Sequence, residues 1–294
     1  MNDNLNLIVE RGRVWDINDL KPYSIALDGA VRGPYFDNKN MIFSFDHHEN
    51  CIRHISSATC VQVMEALMLG FEPKGYTIFI NDIDSDTVLS FFLLENPKYI
   101  EDKFFVNLVN IIGKIDALGP AYQLFEQEED LLFTFNKVVM SKYNELKETG
   151  DYNNYDLSNL LYESCSNLRE WLKSPSILKK EIREFNYNIE PVTNNKEWIM
   201  VNGDYYLFGE LYKKGFNRII AWKLLPNNTY SYTIAKKSEF VIWDINNIIK
   251  GLNLIESGWG GGSTIAGAPR NADGTRSKIK PEDLVDIINK LMKN

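Results

Sequence analysis

Cysteine and histidine are scarce in this chain of 294 residues, with three of each. Cys51, Cys60 and Cys165 are odd in number and form no CxxC pair, which argues against a disulfide framework and against a thiolate zinc site. No run of about 18 apolar residues is present to span a membrane. The opening "MNDNLNLIVERGRVWD" lacks the basic-then-apolar layout of a secretory signal. The expected location is therefore cytoplasmic, with no membrane partner. Repeats of fixed period and low-complexity tracts are also missing, so the chain is expected to fold throughout. Positive charge is in deficit, at a formal net charge of −8. That argues against broad duplex-DNA binding through a basic face and leaves room for a local anion pocket. Clustered carboxylates are also what hard cations require.

What is present is unevenly placed. All three histidines, His47, His48 and His54, fall within "HHENCIRH". They directly follow "MIFSF", a short run with a strand's composition. "YSIALD" (Tyr23 to Asp28), "MIFSFD" (Met41 to Asp46) and "YTIFIND" (Tyr76 to Asp82) are three apolar runs, each closed by an aspartate. Short apolar runs bounded by turn signals suit buried parallel strands. Between the second and third, "SSATCVQVMEALMLG" reads as a helix capped by Ser56 or Ser57 and ended by Gly70. "SDTVLSFFLLEN" and "FFVNLVNIIGKID" read as two further helices. Strand and helix in alternation imply a parallel α/β sheet.

In such a sheet ligands bind beyond the carboxyl ends of the strands. Asp28, Asp46 and Asp82 would therefore meet the histidines in one crevice. "NDIDSD" places Asp82, Asp84 and Asp86 at alternate positions, so that a strand-to-helix turn can present two or three carboxylates to one point. A single DxDxD carries little weight, because aspartates also cap helices and fill turns. The joint occurrence with imidazoles on successive strand ends carries more. Oxygen ligands with one or two imidazoles suit manganese, magnesium or iron. Two such ions, roughly 4 Å apart, can activate water and clamp the attacking and leaving oxygens of a phosphoryl group.

The "FDHH" of Phe45 to His48 resembles the signature of the DHH phosphoesterase superfamily, which includes RecJ-type exonucleases, oligonucleotide hydrolases, cyclic-dinucleotide phosphodiesterases and manganese-dependent pyrophosphatases. Asp28 in "ALDGA" is similarly spaced to the family's metal-bridging carboxylate. Asp116 in "IIGKIDALGP" resembles the aspartate that ligates the second ion, and "NDIDSDTVLSFFLL" resembles the DxDxD motif with its helix. The resemblance implies that His47 ligates metal, that His48 faces substrate or metal as a catalytic residue, and that Asp46 orients the imidazoles. It implies Asp28, Asp82, Asp84, Asp86 and Asp116 as the carboxylate pool for two Mn2+ ions, with Mg2+ as the alternative. The DxDxD motif normally precedes the bridging aspartate and "DHH", and here it follows them, so the resemblance implies a permuted catalytic domain. Thr87 stands where the family usually has glycine.

The chain length accommodates two domains, and the expected layout is a parallel-sheet catalytic domain over 1–125, a helical linker or cap over 126–190, and a smaller mixed α/β domain over 191–294. The middle shows apolar residues at helical spacing in "DLLFTFNKVVMSKYNEL" and "LSNLLYESCSNLREWL". Beyond "EPVTNN" four strands are expected, in "EWIMVN", "YYLFGELYKKG", "NRIIAWKLL" and "TYSYTIAKK". "SGWGGGSTIAGAPRNADGTRSK" then brings glycines that let backbone amides approach an anion, with Arg270 as a two-point phosphate partner. "GWGGGSTIAGAPR" resembles the glycine-rich motif of the DHH-associated C-terminal domain, which implies substrate binding by Gly260, Gly261, Gly262, Ser263 and Arg270. Ser263 replaces that motif's usual histidine. The expected protein is a hydrolase of a small nucleotide-type phosphodiester, compatible with a homodimer. The alternatives are a pyrophosphate or other phosphoanhydride hydrolase, and a nucleotide-binding regulator without turnover.

Overall fold

The computed structural model describes residues 5–52, 55–180, 188–190, 198–203, 207–271 and 273–292. The fold is mixed α/β with two mixed sheets. Two compact units divide the chain: Met1–Gly119 with Leu124–Glu181, and Pro120–Gln123 with Ile182–Asn294.

The first unit is built on five strands, β1 (Asn6–Val9), β2 (Ser24–Leu27), β3 (Tyr35–Asp37), β4 (Ile42–Phe45) and β5 (Thr77–Ile80). Their spatial order is β1-β5-β2-β4-β3. The first four in that order run parallel, whereas β3 is an antiparallel edge that turns directly into β4. The expected parallel sheet is therefore mixed, with β1 as an added parallel strand at the opposite edge. Leu27 pairs with Phe45 and Ala26 with Phe79, so β2, β4 and β5 end level at one sheet edge. Residues alternate between the faces as the pleat requires. Ile25, Leu27, Ile78 and Ile80 enter the main core, while Ala26 and Phe79 join Trp15, Val31 and Ile42 on the other side.

The main core is closed by helices α1 (Thr59–Met68), α2 (Ser85–Glu95), α3 (Lys103–Leu118), α4 (Glu126–Val138), α5 (Ser141–Thr149) and α6 (Leu157–Lys173). α2 is buried on every side from Asp86 to Leu94, the pattern of a central helix rather than a surface one. Burying each of Phe91 and Phe92 contributes roughly 1.5–3 kcal/mol. Lys103–Ala121 is long and apolar enough by composition to cross a membrane. Phe105, Leu108, Val109, Ile111 and Ile112 of this segment lie buried in the core. Within segment 126–190, expected as a linker or cap, Leu131, Phe135, Leu160, Leu161 and Leu168 belong to that same core. The helical spacing read in "DLLFTFNKVVMSKYNEL" is divided between α4 and α5, with Val139 and Met140 buried at the junction.

The second unit holds β6 (Asn188–Glu190), β7 (Ile199–Asn202), β8 (Arg218–Leu224), β9 (Tyr230–Lys236), β10 (Gly260–Gly261) and β11 (Ile265–Gly267), ordered β10-β11-β9-β8-β7-β6. α7 (Phe208–Lys213) covers one face, while α8 (Ile245–Asn253) and α9 (Pro281–Leu291) cover the other. The strand expected in "YYLFGELYKKG" is corrected: Phe208–Lys213 is helical, and Tyr205 and Tyr206 lie outside the described residues. The reason is topological. β7 and β8 pair in parallel, so the chain must cross over between them, and Phe208, Leu211 and Tyr212 supply the helical stripe that packs on the sheet.

Gly113 sets how closely α3 approaches α1. A Cβ there would stand 2.5 Å from Val61 Cγ2 and 3.4 Å from Ala58 Cβ. Valine is stiff at χ1 and does not yield cheaply. Gly113→Ala should therefore destabilise the first unit by about 1–3 kcal/mol through overpacking, despite the better helix propensity of alanine. Urea denaturation should show that loss, with recovery of most of it in the Gly113→Ala/Val61→Ala double variant.

Candidate metal centre

The level strand ends carry the acidic groups. Leu27–Asp28–Gly29–Ala30 turns with positive φ at both central residues, 48° at Asp28 and 80° at Gly29, and an Ala30 N–H to Leu27 carbonyl bond of 3.1 Å. That is the backbone pattern Asp-Gly favours in type I′ turns. The Asp28 N–H meanwhile donates to the Phe45 carbonyl at 3.0 Å, tying this turn to the end of β4.

Two residues past β4, His47 is fully buried. Its Nε2 lies 2.6 Å from Asp116 Oδ2, 3.8 Å from Asp28 Oδ1 and 3.9 Å from Asp86 Oδ2. Neither ring nitrogen of His47 makes a hydrogen bond of acceptable geometry. A buried imidazole left unsatisfied among three carboxylates is costly unless a cation joins the group. Asp116 arrives from the last turn of α3, where a carboxylate opposes the helix dipole and so works against local stability.

His48 is held differently. Its Nδ1 lies 2.8 Å from Asp46 Oδ1 and 3.5 Å from Asp28 Oδ1, and its side chain is 36% exposed. Asp46 is buried and also accepts the Gly33 N–H at 2.9 Å and the His48 N–H at 3.1 Å. Burial pushes its carboxyl up, but these bonds outweigh burial and hold it below its ordinary value. Asp46 thus stays charged and fixes the orientation of the His48 ring.

The DxDxD residues divide. Asp86 is buried, and its two oxygens accept the Thr59 and Cys60 N–H groups at 2.8 and 2.6 Å. It therefore caps α1 from another helix. The capping expected from Ser56 or Ser57 is corrected, since the residue at the cap is Ala58, without a side-chain bond. Asp84 caps its own helix, α2, through the Thr87 N–H. Its charge still helps raise the pKa of Asp28 and Asp86. Asp82 is exposed and receives the Tyr152 hydroxyl. Two overlapping groups have ligand atoms within 4.8 Å of one another: Asp28, His47 and His48, and His47, Asp86 and Asp116. Asp82 and Asp84 are in neither. Thr59 supports the centre, its hydroxyl lying 3.0 Å from Asp28 Oδ1 and 3.2 Å from the Phe45 carbonyl. Nothing in the motifs singled out Thr59, although its place at the first turn of α1 was a signal.

Burial, then the charges of Asp84, Asp86 and Asp116, drive the Asp28 carboxyl well above its ordinary value. Burial, then the charges of Asp84 and Asp116, push Asp86 to about 6, and burial leads the rise at Asp84. A donor set of crowded, mutually repelling carboxylate oxygens beside the imidazoles of His47 and His48 fits a divalent cation of the manganese or magnesium type.

Gly260–Gly262, Ser263 and Arg270 belong to the second unit. Gly260 and Gly261 pair with β11 as a hairpin, and Gly261, at φ 147°, leaves no room for a Cβ against Ile265 and Ala266. Ser263 donates its hydroxyl to Glu239, and Arg270 is exposed. A groove of about 890 Å³ elsewhere in this unit is lined by Trp222, Lys223, Tyr230, Glu282 and Asp286, two carboxylates and one ammonium.

No family model matches the chain, and no curated protein sequence does so either.

The raised carboxyls give a stability test with a definite sign. Their folded pKa exceeds the unfolded value, so the metal-free protein binds more protons folded than unfolded and loses stability as pH rises from about 4 through about 6. A cation that takes the deprotonated carboxylates reverses that loss. Millimolar Mn2+ should therefore raise Tm more at pH 7.5 than at pH 5, as read by differential scanning fluorimetry. An increment independent of pH would contradict this assignment.

Proposed function

We propose that the first unit is the metal-dependent hydrolytic centre of a DHH-type phosphoesterase acting on a small nucleotide-derived phosphodiester. The observation that carries this reading is His47, fully buried, with Nε2 facing Asp28, Asp86 and Asp116 and no hydrogen bond to satisfy it. His47, Asp28, Asp116 and Asp86 would hold the ions, with His48 near enough to share one of them. One His47 nitrogen serves one ion, so a second ion relies on Asp28 and its neighbours. Bound Mn2+ or Mg2+ would supply Lewis acidity, lower the pKa of an attacking water and neutralise charge on the phosphoryl group.

The chain's own side chains do the rest. Asp46 holds the His48 ring at the open side of the cluster, where its partial exposure lets it meet a phosphate oxygen and share a proton with it. Asp86 ties α1 to the centre, and Thr59 hydrogen-bonds Asp28. The geometry suits a phosphodiester and a phosphoanhydride alike, and the resemblance in "FDHH" and "NDIDSD" extends to pyrophosphatases, so the substrate screen decides between them.

The test is a Mn2+-supplemented screen of purified protein against linear and cyclic dinucleotides, nucleoside bisphosphates and pyrophosphate. Turnover of a dinucleotide is the expected result, and turnover of pyrophosphate alone would move the assignment to a phosphoanhydride hydrolase. His47→Ala and Asp28→Ala should each remove most bound manganese and lower kcat/KM by roughly 100-fold or more. A fully active His47→Ala protein would end the proposal.

A further inference from the structure

The cluster does not end at the motif residues. Tyr152, in the turn between α5 and α6, reaches across 70 positions to Asp82, the first acid of "DIDSD". Its hydroxyl donates a hydrogen bond to Asp82 Oδ1. The Tyr152 oxygen also lies 3.3 Å from the Ile83 nitrogen, whose N–H donates to Asp82 Oδ1 at 2.9 Å as well, and 3.1 Å from the Ile83 carbonyl oxygen. One side chain thus engages the carboxylate, the amide and the carbonyl side of two consecutive residues. Tyr152 is 5% exposed and sits in the main core, so its ring is fixed by packing. Burial, then the bond to Asp82, push its phenol upward, so it remains the donor.

Two cations hold the ring from outside. Lys147 Nζ stands 3.4 Å and the Arg11 guanidinium 4.6 Å from its centroid, and Arg11 also donates to the Tyr155 carbonyl at 2.7 Å. Cations over an aromatic face are attracted by the ring's quadrupole. They also place positive charge close to a turn crowded with aspartates.

We infer that Tyr152 is a positioning residue for the metal centre: by pinning Asp82 and Ile83 it sets where the chain delivers Asp84 and Asp86. This rests on the metal reading above. It also gives the helical segment 126–180 a task, since α5 and α6 carry the latch that keeps the turn after β5 in place. A turn bearing three like charges has reason to spread. Without the latch, the carboxylate oxygens no longer meet the narrow geometry a divalent ion demands.

The experiment compares Tyr152→Phe with Tyr232→Phe. Tyr232 is a buried tyrosine of the second unit whose hydroxyl makes a comparable bond, to the Ile279 carbonyl at 2.7 Å. Both variants lose one buried hydroxyl bond, and both should show a modest fall in Tm. Only Tyr152→Phe should weaken Mn2+ binding, by about 10-fold in calorimetric Kd, with a broadened Mn2+ spin-resonance spectrum. Asp82→Asn should weaken binding similarly, and the double variant should be no worse than either single one, as for two halves of one contact. Unchanged Mn2+ affinity in Tyr152→Phe, alongside tight binding by the unmodified protein, would overturn the positioning role and leave the metal centre standing. No Mn2+ binding by the unmodified protein would overturn both.

Discussion

Electrostatic repulsion among crowded carboxylates is the constraint on which the first unit turns. Asp28, Asp84, Asp86 and Asp116 arrive from the end of β2, the start of α2 and the last turn of α3, and the charge of Asp116 helps raise the pKa of the other three. Folding brings them together because the rest of the unit overrides their mutual cost. The parallel strands end level, α2 is buried on all sides, and α3 is drawn against α1 at Gly113. Such a cluster is poorly explained as a device for stability. Each acid would be better solvated elsewhere, and natural sequences break local rules mainly at functional positions.

Inside the cluster the acids do different jobs, and spacing alone does not divide the labour. Asp86 spends both oxygens on the first amides of α1 while remaining 3.9 Å from His47. Asp84 uses one on its own helix, and Asp82 accepts the hydroxyl of Tyr152. Asp46 holds His48. The two adjacent histidines thus meet different surroundings: His47 is sealed among three acids, and the partly exposed His48 is steered by Asp46 with Asp28 at 3.5 Å.

Much of this was legible in the sequence. Apolar runs closed by Asp28, Asp46 and Asp82 placed three strand ends together, and "FDHH" marked the loop that carries the imidazoles. The convergence of Asp116, some 70 residues after His47, followed only from a motif likeness and not from any spacing. Three features were not legible. The α1 cap comes from Asp86 across the fold, so local capping rules pointed to the wrong residues. The helix at Phe208–Lys213 looked like a strand because aromatic and apolar residues dominate it, and the need for a crossover between parallel strands is a tertiary fact. Tyr152 carried no motif at all, since its role exists only once α5 and α6 have packed.

The most direct measurement of the central claim is anomalous scattering at the manganese edge from crystals grown with Mn2+. Two peaks are expected roughly 3.5–4 Å apart, the nearer within about 2–2.5 Å of His47 Nε2. Crystals soaked in Mn2+ that show no peak within about 5 Å of His47 Nε2, or a peak only on exposed surface acids, would contradict it.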